Sequence, residues 1–248
     1  MVLTVGAVVV ALASLLGGVT GFGFGLVCTP LLLLLGVELT DIVVVNLTIG
    51  LVTRTASVVR LHASVHRSRA LDLVIGCVPG VLIGALVQNW VSGDALKVTA
   101  GGVAVVVAVY LLLRPTRAGA VGPARAPRLT ARAAGVLGGF LGVTTSLNGP
   151  PPVVLLSRLG VAPRQFVADL AVYFVVCNAL ALAMIGLAGA ADLRRVGLLL
   201  ACWLPIALVG NLLGNNWAPR VPQNAFRLLT LGLVLVTGLT TVVTTLAG

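Results

Sequence analysis

Charge is scarce in this chain. Only 9% of its 248 residues are Asp, Glu, Lys or Arg, and the acids number six: Glu38, Asp41, Asp72, Asp94, Asp169 and Asp192. All six fall at or near the ends of apolar runs, with Asp169 the deepest, so each reads as an interfacial, solvated carboxylate rather than a buried proton carrier. No paired carboxylates within an apolar run, no HExxH and no GxSxG appear, which leaves an intramembrane enzyme without an acid–base pair or an activated nucleophile. The two histidines, His62 and His66, stand four apart in LHASVHRSR without a third ligand, and read as part of a solvated basic loop rather than a metal site. Cys28, Cys77, Cys177 and Cys202 lie far apart with no CxxC spacing, so neither a disulfide framework nor a metal cluster is expected, and they read as small packing residues. No catalytic residue, metal or cofactor is assigned.

What the chain has in abundance is apolar length. At 59% hydrophobic residues and a mean hydropathy of +1.15, it is far more apolar than a soluble domain. Runs long enough to span lipid make it an all-α polytopic membrane protein, embedded in a bilayer by several passes. MVLTVGAVVV lacks a basic leader and reads as part of the first membrane segment. The formal charge of +10 comes from basic residues clustered in short loops, where they set orientation, so nucleic acid is not a partner.

Sliding one half over the other reveals an internal repeat. Gly17, Gly18 and Gly21 fall on Gly138, Gly139 and Gly142, and Pro30 falls on Pro151. Gly36-Val37 meets Gly160-Val161, which sets Arg54 opposite Asn178; further on, Pro79, Gly84 and Asn89 meet Pro205, Gly210 and Asn215, and DALK meets NAFR. The reading divides the chain into a first repeat (1–113), a basic cytoplasmic linker (114–131) and a second repeat (132–248). Each repeat holds one broken apolar segment and three spans: 39–59, 72–91 and 95–113, then 165–187, 196–217 and 224–246.

The broken segments decide the topology. As one helix, Leu3 to Leu35 would run about 48 Å at ~1.5 Å per residue, far beyond the ~30 Å hydrocarbon core. The tilt required is roughly 50°, outside the usual range. A re-entrant hairpin fits better, with one arm at 4–19, a turn at 20–29 and a short second arm from Pro30. Of the 16 basic residues, two hairpins leave Lys97, Arg194 and Arg195 on one side, Arg54 within a span and every other one on the opposite side. Two full crossings would divide them more evenly, 10 to 5, so the positive-inside rule favours the hairpins. A hairpin plus three spans changes side once, so the two repeats would be inverted, the plan of many alternating-access carriers.

Backbone unwound inside a membrane survives only where protein or a wet cavity satisfies it. Thr29 precedes Pro30 in the first break; Asn148 and Gly149 precede three prolines in the second. Proline suits the first position of a helix, so a short arm is expected to start at each, offering free N–H groups and the positive end of a helix dipole to an anion. Gly21, Gly23 and Gly25, interleaved with Phe22 and Phe24, would let a ligand approach the backbone. Glycines also serve close helix packing, as Gly17 with Gly21 or Gly138 with Gly142 would. Arg54, within a span, reads either as the counter-charge of an anion or as a snorkelling side chain near Arg60. Asn178 offers a neutral donor in the matching place. Trp90, Trp203 and Trp217 read as anchors near span ends or among packed helices.

With GVTGFGFGLVCTPLLLLLG, its counterpart GVTTSLNGPPPVVLL, and the P-G-x-x-x-G and P-x-x-x-x-G-N-x-x-G runs from Pro79 and Pro205, the chain resembles the TauE/SafE family of sulfite exporters. The resemblance covers nearly the whole chain. It implies an inner-membrane secondary transporter of small sulfur-containing anions, with substrate held between the two glycine turns. The second turn here is VTTSLNGPPP, so Thr144, Thr145, Ser146 and Asn148 would supply side-chain donors. A membrane scaffold without a permeant is the main competing reading; it predicts no ligand-dependent flux. Nothing in the sequence sets an oligomeric state.

Overall fold

The computed structural model describes residues 2–88, 90–113, 127–159, 161–189 and 191–217, together with helical positions between 232 and 246. Most of the linker, Asn89, the loop at 218–227 and most of the last span expected at 224–246 lie outside the described residues. Among the described residues up to 217, nine helices follow in order: α1 (Val2–Thr20), α2 (Phe24–Leu34), α3 (Leu39–Leu61), α4 (Arg67–Val87), α5 (Gly93–Leu113), α6 (Arg128–Thr145), α7 (Pro150–Arg158), α8 (Pro163–Ala188) and α9 (Leu193–Trp217). A short 3₁₀ turn at His62–Ser64 joins α3 to α4. Among the described residues, six helices (α1, α3, α4, α5, α8 and α9) are long and apolar enough to cross a membrane. The chain is an all-α, multi-pass membrane protein. By contrast, α2 and α7 hold 11 and 9 residues, or about 16 and 14 Å at ~1.5 Å per residue, half a bilayer each.

Glycine decides which helices touch. A Cβ added at Gly76 or Gly80 of α4 would lie 2.0 Å from Arg132 O or 2.1 Å from Val136 O of α6. Returning contacts join Gly135 and Gly139 to Leu73 O and Cys77 O. Rising numbers pair with rising numbers, so α4 and α6 run parallel with their backbones nearly in contact. The same holds for α1 and α9: a Cβ at Gly210 would meet Ala11 O at 2.9 Å, and one at Gly214 would meet Leu15 O at 2.2 Å. Lipid is as apolar as leucine, so such seams rest on van der Waals fit, which one added methyl group destroys. Part of the glycine pattern is therefore packing. Between the two seams, α3 and α8 run antiparallel, with Gly50 against Asn178 and Arg54 over Phe174.

Charges mark the two ends of the bundle. At one end, Arg69 meets Asp169, Arg132 meets Asp72, and Arg158 bonds and stacks on Tyr110 of α5. Because α6 starts at this end and α7 finishes there, the second hairpin returns to the end it enters from. At the other end, Arg195 meets Glu38 and Asp41. That end receives α2, and α1 runs alongside α9 away from it.

Two expectations need correction. The short arm of the first hairpin begins at Phe24, not Pro30, which lies inside α2. Gly21 (φ 76°) and Gly23 (φ 92°) complete the reversal within three residues, because only glycine holds that left-handed backbone without a Cβ penalty. Pro30 then removes one interior hydrogen bond. Further, Asp41, Asp72 and Asp169 are buried, not solvated. Each has an arginine partner, and that pairing is what permits burial. Trp203 is fully buried and donates to Leu3 O at 3.1 Å, whereas Trp90 and Trp217 are exposed. Cys28, Cys77 and Cys177 are buried free thiols, and Cys202 is exposed.

Candidate functional site

The two helix breaks meet at mid-bundle around a cavity of about 50 Å³, room for a few waters at roughly 10–15 Å³ each. Its walls come from the first turn of α2, the middle of α3, the 146–150 turn, and Phe174 and Asn178 of α8.

At the second break, α6 ends on Ser146, which has φ 59° and is the one non-glycine residue with positive φ among the described residues. Its N–H caps Gly142 O, and Leu147 N–H reaches Leu141 O at 3.3 Å, closing the helix in the usual left-handed cap. A serine in that conformation is strained by about 1–2 kcal/mol. Its hydroxyl is held at 2.8 Å from Thr29 Oγ1, and Asn46 Nδ2 donates to both oxygens at 3.0 Å. This three-residue network, drawn from α2, α3 and the 146 turn, ties the breaks together. Gly25 permits the approach, since a Cβ there would lie 2.8 Å from Ser146 O.

The short arms differ at their starts. In α2 the N–H groups of Phe24, Gly25 and Leu26 precede the first intrahelical bond, Val27 N–H to Gly23 O at 3.1 Å, so they have no partner within the helix. In α7 the corresponding positions are Pro150, Pro151 and Pro152, ahead of Val153 N–H to Gly149 O at 3.0 Å. Proline has no N–H. The expectation that both breaks present free amide hydrogens thus fails at the second, where side chains take over. Asn148 Nδ2 donates to Asn178 Oδ1 at 2.5 Å, and Tyr173 OH reaches Asn148 O at 3.3 Å.

Arg54 is 5% exposed and does not snorkel. Its Nη2 donates to Gly17 O at 3.2 Å, its guanidinium lies 5.8 Å from the Phe174 ring centre, and it lines the cavity. Among the described residues no carboxylate lies within ion-pair reach of it. A buried guanidinium has five donors and no acceptor, and among the described residues this one makes a single hydrogen bond, to Gly17 O. The arrangement offers a positive charge, amide hydrogens and hydroxyls to a small, oxygen-rich anion.

Of the sequence-derived candidates, Phe22, Gly23, Phe24, Gly25, Arg54, Ser146, Asn148, Gly149 and Asn178 line the cavity. Thr29 stands behind it in the hydroxyl network. Gly21 faces Val167 instead. Thr144 and Thr145 bond back to Phe140 O and Leu141 O of their own helix, and Thr144 lines a second cavity of about 120 Å³ toward the Glu38 end. Ser14, Asn46 and Asn211 are not among the sequence-derived candidates. All three line the cavity, and Ser14 Oγ and Asn46 Oδ1 are buried without partners among the described residues. The available signal was their position: each is a polar residue inside an apolar run.

The family profile described as "Sulfite exporter TauE/SafE" matches residues 6–241. The chain is 28% identical over 180 residues to the "Probable inner membrane transporter protein TsaS" of Comamonas testosteroni, covering 72% of this chain and 75% of that protein. No solved structure matches.

Proposed function

Because the chain belongs to the TauE/SafE sulfite exporter family, we propose that it is an inner-membrane secondary transporter that moves a small sulfur oxyanion outward, sulfite or a short sulfonate. The anion sits between the two breaks, on Arg54, the first-turn amides of α2, Asn148 and Ser146. Two inverted repeats carry it by alternating access, 1–113 and 132–248 with the linker 114–131 between. In favour of that arrangement, the first arm of each half lies in a glycine seam against the second span of the other half, and α3 and α8 run in opposite directions. Placing the Arg69 end in the cytoplasm follows the positive-inside rule. The membrane potential then favours outward movement of an anion by roughly 2.3 kcal/mol per charge per 100 mV.

The observation that carries this reading is Arg54, a buried cation facing a cavity with no carboxylate beside it among the described residues. A buried charge is costly unless something pairs with it, and a transported anion does so. Flux of sulfite, sulfate, thiosulfate and short sulfonates into liposomes tests it. A charge-assisted hydrogen bond is worth about 1.5–3 kcal/mol, so Arg54→Ala should cost roughly 10- to 100-fold in sulfite flux. A monodisperse Arg54→Ala protein that carries sulfite at the parent rate would refute the site.

A further inference from the structure

The register that sets Pro79 on Pro205 also sets Arg69 on Arg195. These two arginines make corresponding contacts at opposite ends of the bundle. Arg69, in the first turn of α4, bonds Asp169 of α8 at 2.6 Å, and His66 N–H reaches the other oxygen of the same carboxylate at 2.7 Å. Arg195, in the first turn of α9, bonds Asp41 of α3 at 3.2 Å and Glu38 at 3.0 Å. Each pair therefore crosses between the halves, joining the second span of one to the first span of the other. In each case the arginine belongs to a helix in a glycine seam, and the acid to the central antiparallel pair.

A glycine seam cannot slide without backbone overlap, so α4 with α6 and α1 with α9 each move as one body if they move at all. The joints that remain are those between the seams and α3 with α8, and the ionic pairs close those joints at the two ends. The ends are not equivalent. The Arg69–Asp169 side chains are 8% and 0% exposed, whereas at the other end Arg195 and Glu38 are 55% and 65% exposed around a buried Asp41 at 3%. The second cavity, with Thr40, Gln88 and Thr144 in its wall, lies toward the looser end.

We propose that Arg69–Asp169 and Arg195–Asp41/Glu38 are the two end latches of the carrier, broken in alternation, and that the structure stands sealed at the Arg69 end. This inference rests on the alternating-access reading above. The test uses the full chain in right-side-out and inside-out vesicles, with its four cysteines replaced. Ser14→Cys places a reporter thiol in the cavity wall, and a membrane-impermeant anionic maleimide is added from one face at a time.

Neutralising Arg69→Gln together with Asp169→Asn, so that no lone charge is left buried, should raise the labelling rate from the Arg69 end at least threefold and lower it from the other. Asp41→Asn with Glu38→Gln should do the reverse. Should the double variant not fold, Arg69→Cys with Asp169→Cys, in a chain without the reporter and bridged by a short bismaleimide, should abolish sulfite flux. If both neutralised pairs alter labelling equally from the two faces, or the bridged protein carries sulfite at the unbridged rate, the latches are refuted while the carrier reading stands. If the reporter in the otherwise unaltered chain is labelled from a single face only, alternating access itself fails, and the latches with it.

Discussion

The two helix breaks occupy corresponding places in the chain and reach the same cavity, yet they are built from opposite materials. The first is made by backbone: Gly21 and Gly23 turn the chain, and the amides of Phe24, Gly25 and Leu26 follow without intrahelical partners. The second is made by side chains: a serine takes the left-handed turn, and three prolines remove every first-turn amide hydrogen from α7. Both arms keep the positive end of a helix dipole. What differs is who donates the hydrogen bonds. An anion between them would be held on one side by backbone amides that only proline removes, and on the other by Asn148 and Ser146, whose side chains any substitution changes. The second break is therefore where substrate preference is expected to be set, and the first where anion binding as such is secured.

The strongest test of that division compares one methyl group at each break. A Cβ at Gly25 would lie 2.8 Å from Ser146 O, whereas one at Gly149 would meet Phe174 at an ordinary 3.5 Å. Gly25→Ala should force the breaks apart, lowering sulfite flux at least tenfold and folding stability by about 1–3 kcal/mol, as overpacking does. Gly149→Ala should cost no more than about twofold in flux, since an ordinary contact can be accommodated. Liposome flux and thermal unfolding in detergent read both; equal losses at the two sites would erase the distinction between the breaks.

A smaller effect is expected from the editable side. Asn148→Ala removes the bond to Asn178 and one donor from the cavity wall, and should change the ratio of sulfite to sulfonate flux roughly three- to tenfold, in keeping with about 1 kcal/mol per hydrogen bond. Ser146→Ala leaves Asn46 Nδ2 with Thr29 alone and should lower stability by about 1 kcal/mol. An unchanged substrate ratio in Asn148→Ala would move the choice of substrate elsewhere.

The sequence made some of this legible and hid the rest for physical reasons. Apolar runs and the paired Gly/Pro interruptions were enough for an all-α membrane chain with a broken segment in each half, because only helices satisfy their backbone in lipid without a closed barrel. The start of α2 was misread because Pro30 was matched to Pro151; a proline can sit inside a helix, and it was Gly23, in a left-handed conformation, that marked the boundary. Asp169 resembled a surface acid because its partner, Arg69, lies 100 residues away along the chain. Long-range pairs leave no periodic trace in sequence. Nor could spacing divide the glycines of the helix seams from those of the turns, since both tasks select for the same missing side chain. The triple proline was the most informative misreading: proline was taken as a sign of a helix start, which it is, while the loss of its N–H removed the chemistry expected there.

That loss supplies the finest test of the comparison. Pro150 is the first residue of α7 and lines the cavity. Pro150→Ala restores an amide hydrogen at a helix start, giving the second break a donor of the kind the first already has. A neutral hydrogen bond contributes about 0.5–1.5 kcal/mol, so sulfite should bind roughly two- to tenfold more tightly in the variant. Tighter binding in the resting state is not faster transport: an interaction made equally throughout the cycle lowers the half-saturating concentration without raising the maximal rate. Concentration-dependent flux should therefore show saturation at lower sulfite with an unchanged or lower plateau. A higher half-saturating concentration would mean that this helix end is turned away from the anion and that the first break alone supplies backbone donors.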